Sequence, residues 1–317
     1  MALIDINNLE LFAENISANL SSPRVTTTAK IGRLLAKNLS YLKHISDKIV
    51  SFKPPNGKMP KEFEWFIDNR YIAEREGRSA MLTLKRAGKL PASRKGYPKI
   101  FGLAVALVRS GNGGVTAERI RIFLTGAQKA GAFSEKELWL FTVMLKAALV
   151  FELQKLSRNF MPMMQEYAGK KSGIYSAELE MDSIRSEGGT PLATIAEDAM
   201  KAQSEHLEMS NIAENIFTSL RLLSTADLRE MLHSLSAVEQ ILCSDPSGIY
   251  PVMDEESRAQ CRRIVSRLAK RKQMSEASTA EKAISLSRGA SDPLMRHVGY
   301  YLLRKPLGED PATWHRP

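Results

Sequence analysis

Hydrophobic residues recur every three or four positions along most of the chain, which is the period of an amphipathic helix. Residues 28–50 are the clearest case, and the adjacent prolines within 52–60 end that helix because proline excludes the helical conformation. The apolar positions of this helix are Ile31, Leu34, Leu35, Leu42, Ile45 and Ile49. We therefore predict an all-α fold, an irregular multi-helix array of about ten helices.

Two further apolar stretches belong to the predicted core. Residues 100–108 are almost wholly apolar, and periodicity alone does not separate a buried helix from a strand there. Ser134 and Glu137 have the spacing of a capping box, which predicts a helix running into the apolar residues 138–151. Pro162 is expected to end or kink that helix.

Breaks in the helical pattern suggest how the chain divides. The irregular residues 168–189, which contain several glycines and serines, predict a mobile loop and a boundary between two helical subdomains. Ser278 and Glu281 predict a second capping box, and residues 294–304 a last helix. The predicted parts are an N-terminal helical segment (1–55), a helical subdomain (61–167), a second helical subdomain (190–305) and a tail (306–317).

Charge and cysteine content bear on the partners of the protein and on its cellular compartment. Lys and Arg number 45 against 35 Asp and Glu, and residues 1–100 hold most of the excess, at net +9. A basic balance attracts anions without specifying a fold. The two cysteines, Cys243 and Cys261, match neither a disulfide framework nor a zinc motif, which favours a reducing cytoplasmic compartment. Residues 138–151 are shorter than the roughly 20 apolar residues that span a bilayer, so we expect no membrane span.

Catalytic motifs are absent from the sequence. It contains no Walker A sequence, no G-x-G-x-x-G, no H-E-x-x-H, no C-x-x-C and no G-x-S-x-G. No D-x-D pair is present to hold a metal against a diphosphate, and the glycines of 110–114 indicate a turn. We therefore assign no catalytic residue, no cofactor and no metal ligand, and leave the question of an enzyme open.

A helix is predicted over 255–272, and residues 257–273 form a strongly basic run without an acidic residue. Its candidate contacts to an anionic surface are Arg258, Arg262, Arg263, Arg267, Lys270 and Arg271. The simplest interpretation is a solvated basic face on a packed helix. The alternatives are contact with anionic lipid or an acidic partner, and, least supported, with nucleic acid, because no aromatic stacking platform accompanies the charge.

Aromatic residues lie beside carboxylate and amide side chains in the helix that follows residue 60. Trp65 and Tyr71 are weak candidates for stacking on a sugar, since rings next to polar groups suit that role. An aromatic stripe on a helix is more often part of the core. Both interpretations stay open at this point.

Six stretches, taken in order, resemble one protein family. They are EWFIDNRYIAE (64–74), KGYPKIFGLAVALV (95–108), SEKELWLFTVMLKAALVFELQKL (134–156), IAENIFTSLRL (212–222), VEQILCSDPSGIYPVMD (238–254) and RHVGYYLL (296–303). In this order they resemble the N-terminal region of cyclic β-1,2-glucan synthases, which are large bacterial inner-membrane proteins. The similarity covers residues 61–305.

The resemblance implies a role but no catalytic residue. In such synthases a membrane glucosyltransferase module that uses UDP-glucose and a glycoside-phosphorylase module follow this region. The implied role is a non-catalytic cytoplasmic scaffold at the inner face of the inner membrane. Its implied partners are the transferase module and the anionic membrane, and we expect this chain to be the front of a longer protein.

One departure and three alternatives accompany this expectation. After Asp254 the family continues with an aromatic residue and a T-R-D-like triplet, whereas this chain has Glu255 and Glu256. The role of that family aspartate is therefore not carried over. The alternatives are a stand-alone glucan-binding module, a regulatory protein associated with a glycosyltransferase, and an independent enzyme acting on glucans or sugar nucleotides.

Overall fold

The protein is mostly helical, in agreement with the predicted fold class. The computed structural model describes residues 3–54, 57, 59–169 and 191–308. The helices of the first half are α1 (Ile6–Leu20), α2 (Ala29–Ser51), α3 (Lys61–Arg86), α4 (Lys99–Ser110), α5 (Ala117–Lys129), α6 (Glu135–Ser157) and α7 (Phe160–Gly169). Those of the second half are α8 (Pro191–Thr225), α9 (Arg229–Ser234), α10 (Ala237–Leu242), α11 (Glu255–Lys272) and α12 (Glu276–Arg288).

A small sheet is the main departure from the helical expectation. Strands β1 (Val25–Thr27) and β2 (Lys89–Pro91) pair antiparallel, with Thr26 opposite Leu90. Three-residue strands are too short for alternation to reveal them in a sequence. Residues 100–108, left open between helix and strand, lie within α4.

Helix ends follow the predicted signals in part. Ser134 and Glu137 form the expected capping box, with the backbone N–H of Ser134 donating to Glu137 Oε2 over 3.0 Å. The second box is shifted, because Ser275 and not Ser278 caps α12 by accepting from the Ser278 N–H over 3.0 Å. Pro162 does not end α6, which stops at Ser157; it lies in the first turn of α7, where a missing N–H costs no helical hydrogen bond.

The end of the described chain is less regular than predicted. Residues 293–296 form turns, and a short π-helix (Tyr300–Arg304) and a 3₁₀ turn (Pro306–Gly308) follow where a continuous helix over 294–304 was expected. The loop predicted over 168–189 lies almost wholly outside the described residues.

The chain forms two compact units that are discontinuous in sequence. The first comprises Met1–Asp5, Leu20–Thr116 and Val143–Ala226, and the second Ile6–Asn19, Ala117–Thr142 and Asp227–Pro317. These units do not follow the predicted consecutive parts. Helix α1 accounts for part of the difference, since it packs on α5: the rings of Phe12 and Phe123 lie 6.4 Å apart.

Each unit has its own hydrophobic core. In the first unit, α2 packs along α3, and the ring of Phe160 meets those of Phe63 and Phe66 edge-on at 5.3 and 5.2 Å. In the second unit, α10, α11 and α12 enclose buried side chains that include Tyr250 and Val298. Among the described residues, no helix is both long and apolar enough to cross a membrane.

Candidate functional site

Helix α11 carries the predicted anionic-surface contacts, and it has the expected bounds. Asp254 caps its start by accepting from the Ser257 N–H over 2.9 Å, and Gln273 ends it in the left-handed conformation with φ of 54°. The apolar side of the helix packs into the core of the second unit through Cys261, Val265, Leu268 and Ala269. Burial raises the pKa of the Cys261 thiol to about 11, so this thiol stays protonated at neutral pH.

Four of the predicted contacts form a basic face open to solvent. Arg263, Arg267, Lys270 and Arg271 are all exposed, and their spacing places them along one side of the helix. Lys136 of α6 lies close to this face. Its own burial and then the charge of Lys270 lower its pKa. We call Arg263, Arg267, Lys270 and Arg271 the basic face.

Arg262 corrects the sequence-based assignment. Its residue is only 2% exposed, and its guanidinium binds three carboxylates instead of facing solvent. Nη1 pairs with Glu239, Nη2 lies 2.5 Å from Glu255 Oε1, and Nε lies 3.6 Å from Glu135 Oε2. Arg262 is therefore a buried structural cation and not a contact for an anionic surface.

Glu239 is the centre of this buried network. It is 5% exposed, and its Oε2 accepts from both Arg262 and the hydroxyl of Tyr250, the latter over 2.8 Å. Its Oε1 accepts from Arg258 Nη1 over 2.9 Å. Arg258 is half-buried and also pairs with Glu255 at 3.0 Å, so its charge is paired with two carboxylates of the protein.

The network shifts the protonation equilibria of its members. Burial alone would lower the pKa of Arg262, but the hydrogen bond and charge of Glu239 outweigh it and the net shift is upward. Burial, followed by the charge of Glu239, raises the pKa of Tyr250. Burial also raises the pKa of Glu135, despite the hydrogen bond that the Ser236 hydroxyl donates to it. Arg262, Tyr250 and Glu135 are themselves buried, and their contacts hold α6, α10 and α11 together.

A second buried carboxylate organises the turn after α10. Asp245 Oδ2 lies 2.8 Å from His297 Nδ1 and accepts from the Tyr250 N–H over 3.2 Å, while Oδ1 accepts from the Val298 N–H over 2.9 Å. Burial would raise the pKa of Asp245, but the hydrogen bonds, led by those from Ser247 and His297, lower it. The His297 side chain is therefore used to close a turn.

The two aromatic candidates are not brought together. Trp65 is half-buried and packs on Phe217 of α8 with ring centroids 5.6 Å apart, whereas Tyr71 is 55% exposed. Six helical residues separate them, which corresponds to about 120° around the axis of α3. They do not form one stacking platform.

Polar contacts that the sequence did not reveal join α3 to its neighbours in the first unit. Asn69 accepts from Arg221 of α8 over 2.7 Å, and Glu76 pairs with Lys146 of α6 at 2.7 Å. Burial opposes the charge of Glu76, but the hydrogen bonds from Lys146 and Arg75 and the charge of Lys146 together outweigh it, and the pKa of Glu76 is lowered. The sequence shows only that Asn69, Lys146 and Arg221 lie within predicted helices, and it does not indicate which residues they contact.

The glycines of residues 110–114 have a packing role. Gly113 has a φ of +84°, and a Cβ there would lie 2.7 Å from the Ile216 side chain. Ser219 of α8 donates to the Gly113 carbonyl and accepts from the Val115 N–H, each over 2.8 Å. These residues therefore form the predicted turn, and it packs against α8. Within the described part of the chain, no three His, Cys, Asp or Glu residues are placed to hold a metal ion.

Comparisons with known proteins add no assignment. No protein-family model matches this chain, and no curated protein matches it.

Proposed function

We propose that this chain is a non-catalytic helical region of a cyclic β-1,2-glucan synthase, where it positions the membrane glucosyltransferase module that uses UDP-glucose. The proposal begins with the six stretches that resemble that family. The family is proposed from the ordered set of stretches alone, which spans residues 61–305, because the comparisons found no matching family.

One observation favours a scaffolding role over chemistry. Three buried polar side chains within the family-like stretches are bound to internal partners: Asn69 to Arg221, Glu239 to Tyr250, and Asp245 to His297. A catalytic carboxylate must reach substrate, whereas Glu239 and Asp245 are buried and accept hydrogen bonds from the protein itself. The same bonds tie distant parts of each unit together, as a rigid support requires.

The test is reconstitution of glucan synthesis. Membranes containing a cyclic glucan synthase truncated to remove its own N-terminal region would be incubated with radiolabelled UDP-glucose, with and without the purified chain. We expect β-1,2-glucan formation to rise when the chain is added, and no turnover by the chain alone. Product formed by the chain alone, or no response of the truncated synthase, would contradict the proposal.

The basic face supports a location at an anionic membrane surface. Its cations are exposed on one side of α11, and basic residues are favoured at the cytoplasmic side of membrane proteins. We expect the chain to sediment with vesicles containing phosphatidylglycerol and not with neutral phosphatidylcholine vesicles. The double change Arg263→Glu and Arg267→Glu should remove that binding.

A matched control separates the basic face from net charge. Lys43→Glu with Lys48→Glu changes the net charge equally, at two exposed positions of α2. Vesicle binding should survive these changes. If both double variants lose binding equally, the attraction is diffuse and the basic face is not the contact.

A further inference from the structure

A cleft in the first unit is lined mainly by cations. Its volume is about 410 Å³, which falls within the range of small-molecule sites. Its lining consists of Lys30, Arg33, Leu34, Lys37, Lys95, Gly96 and Tyr97. Four of these seven described residues are basic and none of the seven is acidic, so the cleft concentrates positive potential.

The cleft arises where two stretches without acidic residues meet. Residues 15–46 contain five Lys and Arg, residues 77–117 contain eight, and neither stretch contains Asp or Glu. The antiparallel pairing of β1 with β2 joins the two stretches in space. The cleft takes Lys30, Arg33 and Lys37 from the first stretch and Lys95 from the second.

The loop that closes the cleft is held in a defined shape. The Ser93 N–H donates to the Tyr97 carbonyl over 2.6 Å, and the Gly96 N–H donates to the Ser93 carbonyl over 2.8 Å. Gly96 has a φ of +76°, a conformation that glycine adopts without strain. Its carbonyl accepts from the Thr26 hydroxyl over 3.0 Å and from Lys30 Nζ over 3.3 Å, which fixes Lys95 and Tyr97 beside α2.

The cations of α2 are spaced for more than one anionic group. Lys30, Arg33 and Lys37 lie on one side of the helix, about 4.5 and 6 Å apart along its axis at 1.5 Å per residue. All three and Lys95 are exposed, and Tyr97 is 38% exposed at the same site. Arg and Lys are the usual protein ligands of phosphate oxygens, and an exposed aromatic ring offers a face for stacking.

We propose that this cleft binds an organic diphosphate, with its phosphoryl groups against Lys30, Arg33, Lys37 and Lys95 and a planar ring against Tyr97. Four cations beside one exposed ring fit a small molecule that carries both phosphoryl groups and a planar ring. The proposal does not rest on the function proposed above, since the cleft and the basic face lie in different units. It adds a ligand site to a region for which no ligand is otherwise assigned.

Calorimetric titration of the whole chain tests the site. The ligands are pyrophosphate and ADP, with orthophosphate and adenosine as comparisons. We expect pyrophosphate and ADP to bind, orthophosphate to bind more weakly, and adenosine not to bind. The double change Arg33→Gln and Lys37→Gln should weaken pyrophosphate binding about tenfold or more, because two charge-assisted contacts are lost.

Two further variants make the test specific. Arg263→Gln with Arg267→Gln removes the same charge from exposed positions of α11 and should leave the affinity for pyrophosphate within about twofold. Tyr97→Leu should weaken ADP binding about fivefold and leave pyrophosphate unchanged, because only the ring contact is removed. Circular dichroism would check that every variant is folded.

Three results would overturn the proposal. The first is no heat with pyrophosphate at millimolar concentration. The second is an equal loss of affinity in the α11 control, which would show diffuse attraction. The third is binding to phosphatidylglycerol vesicles through Arg33 and Lys37 with no binding of pyrophosphate or ADP, which would assign these cations to a membrane surface instead.

Discussion

Replacing Arg262 by Met should destabilise the second unit strongly. The methionine side chain has a similar reach and is apolar, so the change removes the charge while leaving much of the packing. It leaves Glu239 with Arg258 and Tyr250 as partners and deprives Glu135 of its contact with Arg262. The substitution therefore isolates the contribution of one buried cation to the free energy of unfolding.

The expected magnitude follows from burial. The Arg262 side chain is 3% exposed, and Glu239 and Glu135, at 6% and 11%, are almost as enclosed. Removing one partner of a buried ion pair leaves an uncompensated charge and costs about 3–5 kcal/mol. We expect a loss near the lower end, about 3 kcal/mol, because Arg258 still neutralises part of the charge on Glu239.

Equilibrium urea unfolding followed by circular dichroism measures this loss. The neighbouring change Arg263→Met is the control, since it makes the same substitution on the same helix at an exposed position. It should alter the free energy of unfolding by less than about 0.5 kcal/mol. Each unit should be followed separately if the transition shows two steps, because two-state treatment would then not apply.

A double-mutant cycle decides whether the ion pair itself is responsible. Arg262→Met combined with Glu239→Leu should lose about 2 kcal/mol less than the sum of the single changes, because neither charge is then left buried alone. The reasoning is refuted if Arg262→Met is no more destabilising than Arg263→Met. If the two single losses add up to the loss in the double variant, the ion pair is not the cause, and Arg262 would act through packing alone.

Two other predictions concern stability. The pKa of Asp245 is lowered in the folded state. Its contribution to the free energy of unfolding is therefore present above the pKa of the unfolded chain and is lost as the pH falls through the pKa of the folded state. Asp245→Asn should flatten the acid side of a plot of unfolding free energy against pH. Gly126→Ala should cost about 1–3 kcal/mol in thermal or urea unfolding, since a Cβ would lie 2.1 Å from the Glu10 carbonyl oxygen. Gly77→Ala is its control, because only a flexible side-chain end is close there. Both changes gain helix propensity, so an equal loss in the two variants would show that the clash with Glu10 is not the cause.

Local signals predicted much of the helical structure. The apolar period over 28–50 and the prolines after it correspond to α2 and the break before α3, and α11 has the expected bounds of 255–272. These features depend on neighbours a few residues apart, so the sequence contains the information for them. The short strands and the π-helix after residue 299 were missed, because their formation depends on distant partners.

The basic helix shows where local reasoning stops. Periodicity places Arg258, Arg262 and Val265 along one line of α11, and that line could have indicated that Arg262 faces the core. The charge count instead suggested a solvated cation. Of its three carboxylate partners, Glu255 lies on the same helix, but Glu239 and Glu135 belong to other helices, and no spacing rule relates Arg262 to them.

The sequence by itself determined the helical class, the main helix boundaries and the excess of basic charge. Only the tertiary structure decided which cations face solvent and which are enclosed. It separated Arg262 from Arg263, and it gathered Lys30 and Lys95 into one cleft. The reason is that burial and ion pairing depend on contacts across long stretches of chain, whereas helix periodicity and capping depend on residues within a few turns.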